Sequence, residues 1–84
     1  MGKTIKISIK CFGMFRQFGN VIDIEIPAGS FADEIKSALI INIGDKHRNL
    51  VESSVLANDV GILPKECVIQ DSMNLSILPP VCGG

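Results

Sequence analysis

Eighty-four residues, 46% apolar and 20% charged, suffice for one domain with a single core and are too apolar for a disordered chain. Eight Lys and Arg against nine Asp and Glu leave a net charge of -1, which gives no electrostatic footprint for nucleic acid or an anionic membrane. No run approaches the roughly 18 apolar residues of a membrane span, and the N-terminus alternates where a signal peptide would be continuously apolar, so a single cytoplasmic domain over residues 1–84 is expected.

From Thr4 to Cys11 the chain alternates, with Ile5, Ile7, Ile9 and Cys11 on one face and Thr4, Lys6, Ser8 and Lys10 on the other, the period of a half-buried strand. Val21 to Ile26 repeats the pattern, Ile22, Ile24 and Ile26 inward and Asp23 and Glu25 outward. An antiparallel hairpin of the two would set Lys6 and Lys10 near Asp23 and Glu25 on the solvent face. The connection, Phe12 to Asn20, is bracketed by Gly13 and Gly19-Asn20, which favour turns. Within it Phe12, Phe15 and Phe18 flank Arg16, either as an exposed docking surface or as a loop packed on the core.

Pro27-Ala28-Gly29 ends the second strand, and Ser30 followed by Asp33 reads as a helix N-cap with an acidic first turn. Phe31, Ile35, Ala38, Leu39 and Ile43 then recur at helical spacing, with Gly44 as C-terminal cap. Ile40 falls off that stripe and is either exposed or covered by another element. Asp45 to Ser54 is polar apart from Leu50 and Val51 and reads as a connection. His47, between Lys46 and Arg48, has no second ligand at metal spacing and reads as part of a solvated helix-end cluster, so no metal is expected. Ser54 to Val60 is a predicted strand, broken by Gly61 and Pro64, and a short strand can follow before Asn74 to Leu78, where Leu75 and Ile77 share a face. Two hairpin strands, one helix and further strands define an α+β roll with a mixed sheet of four to five strands under one main helix.

The chain closes on Pro79-Pro80-Val81-Cys82-Gly83-Gly84. Two prolines stop the strand and stiffen the residues after it, while Gly83 and Gly84 have no Cβ and let the backbone thread a narrow channel. From Ser72 onward no side chain is charged, so the carboxylate of Gly84 is the only charge the arm would carry into a partner. A frayed terminus behind a strand stop is the plain alternative. Three widely spaced cysteines form neither a disulfide framework nor a zinc pattern and read as reduced thiols. Cys11 is a core residue, Cys67 a loop or partly buried thiol, and Cys82 either a small side chain in the arm or a thiol that exchanges with a sulfur intermediate.

"PPVCGG" after a short strand, an N-terminal hairpin and one amphipathic helix together resemble the small, sulfur-carrying subunit of molybdopterin synthase, a ubiquitin-like β-grasp protein. "CFGMFRQFG" (11–19) resembles that family's loop after the first strand, and "VLANDV" (55–60) its strand carrying an asparagine. The sequence departs in having Ser72-Met73 for the commoner Gly-Asp and Cys82 where Ala, Ser or Thr is more usual. The resemblance implies that residues 79–84 form a projecting reactive tail, presented through Pro79, Pro80, Val81, Cys82 and Gly83. It implies that Gly84 is adenylated by a partner of the ubiquitin-activating type using ATP and magnesium, then converted to a thiocarboxylate by a sulfur donor. It implies delivery of that sulfur to a cyclic pyranopterin phosphate in the large catalytic subunit of a heterotetrameric synthase, forming the dithiolene of the molybdenum cofactor. The chain by itself would bind no cofactor and be no enzyme. Rival readings are a sulfur carrier for the thiamine thiazole, a ubiquitin-like modifier conjugated through Gly84, and a plain interaction domain.

Overall fold

A computed structural model describes residues 2–79. Strands β1 (Thr4–Cys11) and β2 (Val21–Pro27) pair antiparallel, a short β3 (Ser30–Phe31) leads into helix α1 (Ala32–Ile43), and α2 (Arg48–Ser53), β4 (Val55–Ala57), β5 (Val68–Ile69) and β6 (Met73–Leu78) follow. The main sheet runs β2-β1-β6-β4, with β6 parallel to β1 and antiparallel to β4, and β3 pairs with β5 in a separate two-stranded sheet. This is the expected α+β roll with a mixed sheet of four strands and one main helix.

The alternation of β1 and β2 places Ile5, Ile7, Ile9, Cys11, Ile22, Ile24 and Ile26 in the core, where Ile35 and Leu39 of α1 and Leu75 and Ile77 of β6 meet them. Full burial of each such side chain stabilises the fold by about 1.5–3 kcal/mol. On the outer face the hairpin register sets Lys6 opposite Glu25 and Ser8 opposite Asp23. The Lys6 ammonium lies 3.8 Å from the Asp23 carboxylate, which also accepts the Ser8 hydroxyl at 2.7 Å. Lys10 departs from expectation: it stands opposite Val21, and its ammonium lies 5.4 Å from the centroid of Phe12, within cation–π range.

The start of α1 corrects the reading of Ser30. The N-cap position is Phe31, whose N–H donates to the Glu34 carboxylate at 2.9 Å. The N–H groups of Ala32 and Asp33 donate to the carbonyls of Cys67 and Lys65, so a neighbouring backbone segment satisfies the amides a capping hydroxyl would serve. Ser30 is buried in β3, its hydroxyl donating to the Pro27 carbonyl at 2.6 Å. Phe31 consequently leaves the helical stripe and is half exposed. Gly44 ends α1 as expected, with φ of 110° and its N–H on the Ile40 carbonyl.

The polar segment after Gly44 is a second correction. It folds as a 3-10 turn (Asp45–His47) and α2, which packs on α1 and buries Val51 completely. Ile40, off the main stripe, is buried beside Arg48 and Glu52 of this second helix. Strand β4 ends at Ala57, before the predicted Val60, because the Asn58 side-chain carbonyl accepts the N–H groups of Val60 and Gly61 and turns the chain.

Candidate functional site

The site proposed from sequence begins where β6 ends. In the middle of the sheet β6 lies between β1 and β4, with Ile77 opposite both Cys11 and Leu56 and Leu78 opposite Val55. Beyond Leu78 the chain therefore departs from a strand held on both sides. Of the named arm residues the structure describes Pro79, half buried; Pro80, Val81, Cys82, Gly83 and Gly84 lie outside the described residues.

The turn after β1 shapes the exit. Phe12 N–H donates to the Ile77 carbonyl at 3.3 Å, continuing the β1–β6 ladder to the last residues of the strand. Gly13 comes next with φ of 59°, and a Cβ there would stand 2.7 Å from Cγ of Pro79. Only a residue without a side chain lets the turn close against that proline ring. Sequence reading placed Gly13 as a turn former and missed this contact, since nothing local links residue 13 to residue 79. The 3-10 turn Gly13–Phe18 buries Phe15 and half buries Phe18, whose ring packs on Phe15 and meets the His47 ring edge-on with centroids 4.8 Å apart. These phenylalanines pack the loop on the core. His47, assigned from sequence to a solvated cluster, is half buried against Phe18.

Around the exit the surface is apolar with isolated cations. Met14, next to Gly13, is 59% exposed; Leu78 is 36% exposed opposite half-buried Val55, and Phe12 is half buried. Lys10 and Arg16 are exposed and have no ion pair among the described residues. Cys11, one strand over, is buried with its Sγ near the Ile9 carbonyl, and burial pushes its thiol above the ordinary value, which disfavours the reactive thiolate. Cys67 is half buried in the loop before β5. No group of three His, Cys, Asp or Glu among the described residues is placed to hold a metal ion. No helix among them is long and apolar enough to cross a membrane.

The architecture is that of the ubiquitin-like β-grasp proteins. Among solved structures, a Pyrococcus furiosus protein provisionally assigned as molybdopterin converting factor, subunit 1, superposes with a TM-score of 0.74 at 20% identity, over 92% of this chain and 99% of that one. SAMP1 from Haloferax volcanii superposes at 0.70 with 15% identity, over 94% of this chain and 99% of its own. A Caldiarchaeum subterraneum ubiquitin gives 0.67 at 13% identity, covering 98% and 100%. No protein-family model and no curated protein matches the chain.

Proposed function

We propose that this chain is a ubiquitin-like sulfur carrier of molybdenum cofactor biosynthesis, working through Gly84. The observation that supports the reading is the construction of the exit: β6, held on both sides in mid-sheet, delivers the chain at Pro79 against Gly13, and the sequence beyond is stiff at Pro80 and slim at Gly83 and Gly84. The likeness to a converting-factor subunit over nearly the whole of both chains points the same way.

In this reading the Gly84 carboxylate attacks the α-phosphorus of ATP held with magnesium by an activating partner, and pyrophosphate leaves. Hydrosulfide from a sulfur donor then attacks the acyl carbon and AMP leaves, giving a thiocarboxylate, a softer nucleophile than the carboxylate it replaces. The large catalytic synthase subunit supplies the pocket and the acid–base groups, and this chain supplies reach and sulfur. The apolar rim of Phe12, Met14, Val55 and Leu78 can seat both partners in turn.

Intact mass spectrometry of the chain before and after incubation with an activating enzyme, ATP and a sulfur donor tests the proposal. A species heavier by the difference between sulfur and oxygen, located at Gly84, is expected; unchanged carboxylate under those conditions overturns it. Co-purification with a large synthase subunit separates the molybdopterin pathway from thiamine thiazole synthesis. The likeness to a ubiquitin favours a second reading, a modifier joined through Gly84 to lysines, which would instead leave a ladder of conjugates resistant to reducing agent.

A further inference from the structure

A concavity of about 510 Å³ lies away from the arm, between Lys6 of β1, Asp23, Ile24 and Glu25 of β2, and Ala38, Ile41 and Asn42 of α1. Its wall is an edge of the sheet that is free among the described residues, since there β2 pairs only with β1. Cys11 N–H bonds the Asn20 carbonyl and Ala28 N–H the Lys3 carbonyl at the two ends of the hairpin. With the register between them, Ile22, Ile24 and Ile26 exchange their hydrogen bonds with β1, and the N–H and C=O groups of Asp23 and Glu25 face the open side. Those two N–H groups have no partner among the described residues. Beside them on α1 stand Ala38 and, one turn on, Ile41, which is 84% exposed.

We propose that this edge takes up an extended segment of another protein whose side chains alternate apolar and basic, adding a fifth strand to the sheet. Main-chain bonds to Asp23 and Glu25 would supply the register. On the inner side the apolar residues of the segment meet Ala38 and Ile41. Outward, its basic residues stand beside Asp23 and Glu25, and Glu25 has no ion pair among the described residues. The strand already paired with β2 shows the same chemistry, for β1 turns isoleucines inward and lysines outward against these carboxylates. A second copy of the chain fits badly: β2 against β2 would bring Asp23 and Glu25 beside their own counterparts, and like charges across strands repel. Pro27, which has no N–H, ends the ladder at one extremity. This edge is built by β2 and α1, with Lys6 of β1 at its side, and is independent of any chemistry at Gly84.

The test is an NMR titration of the whole chain with an end-blocked synthetic peptide alternating valine and lysine, and with its valine–glutamate counterpart. The lysine peptide is expected to shift the Asp23 and Glu25 amides and slow their exchange, and the glutamate peptide to leave them unmoved. Glu25→Lys should weaken binding of the lysine peptide by about tenfold. Ile41→Ser, at a surface position that leaves the fold intact, should weaken it as well. The proposal is overturned if shifts fall elsewhere, if both peptides bind alike, if neither binds at millimolar concentration, or if Glu25→Lys binds as well as the parent. A stable dimer of the free chain in sedimentation, in which the Asp23 and Glu25 amides are protected from exchange, would also overturn it, in favour of self-pairing.

Discussion

The hairpin of β1 and β2 and the segment from Asp45 to Ser72 are held in place by different means. In the hairpin every second residue is an apolar side chain buried in the core, and its paired residues run in an unbroken antiparallel register. The later segment has few core side chains, Val51, Leu56 and Ile69 being the fully buried ones, and is fixed by separate polar links. Lys36 of α1 donates to the carbonyls of Glu52 and Ser54, the Ser54 hydroxyl donates to the Val51 carbonyl, and Leu63 N–H bonds the Leu56 carbonyl. One region is specified by hydrophobic period, the other by where its backbone groups find partners.

The largest test of that contrast is a pair of truncations at fully buried sites. Ile7→Ala, in the centre of the sheet, should cost about 2–5 kcal/mol in denaturant unfolding. Val51→Ala removes less volume from a six-residue helix and should cost about 2 kcal/mol. Equal costs would show that the later segment is as deeply built into the core as the hairpin.

Gly13→Ala tests the hairpin against the exit from β6, because the loop of the hairpin touches the proline just past that strand. Positive φ together with the contact on Pro79 should cost about 1–2 kcal/mol. Under the proposed function the folded variant should also be adenylated more slowly at Gly84, measured by pyrophosphate release, whereas unchanged activation would free the exit from any role in aiming the arm.

The smallest effect is a pair of opposite pH dependences. Burial lowers the Lys36 amine below its usual 10.5, with Lys65 adding to the effect and Asp33 and Glu52 opposing it. The folded state then binds this proton less readily than the unfolded chain, so its contribution to stability rises with pH from the lowered value toward 10.5. Burial raises the Cys11 thiol above 9.0, so its contribution is present below 9.0 and is lost as pH climbs through the raised folded value. Urea melts across that alkaline range should show Lys36→Met flattening the rise and Cys11→Val flattening the fall. The same change from both variants would contradict the assignment of one titration to each region.

How far the sequence could be read follows the same division. Alternation identified both strands of the hairpin and their facing charges, since a period of two leaves only one face to bury. Helix α1 was legible from its spacing, but its start was displaced, because Ser30 is a good capping residue and nothing local reveals that carbonyls of residues 65 and 67 take over that task. Helix α2 was missed because a polar run with two apolar residues has no period to detect. It lies beside Ile40, itself off the main stripe of α1. At the candidate site Pro79 and Gly13 were each noticed, for their own backbone properties, while their contact was invisible at a separation of sixty-six positions.

By itself the sequence determined the hairpin, the main helix, the α+β class and the chemical character of the segment Pro79 to Gly84, since these rest on side-chain period, caps and composition within short windows. Tertiary structure alone decided that β6 lies parallel to β1 in mid-sheet, that the Phe12–Gly13 turn closes on the exit, and that β2 keeps a free edge beside Ile41. Parallel pairing and edge exposure depend on which distant strand offers its hydrogen bonds, and that choice is made only when the whole chain packs.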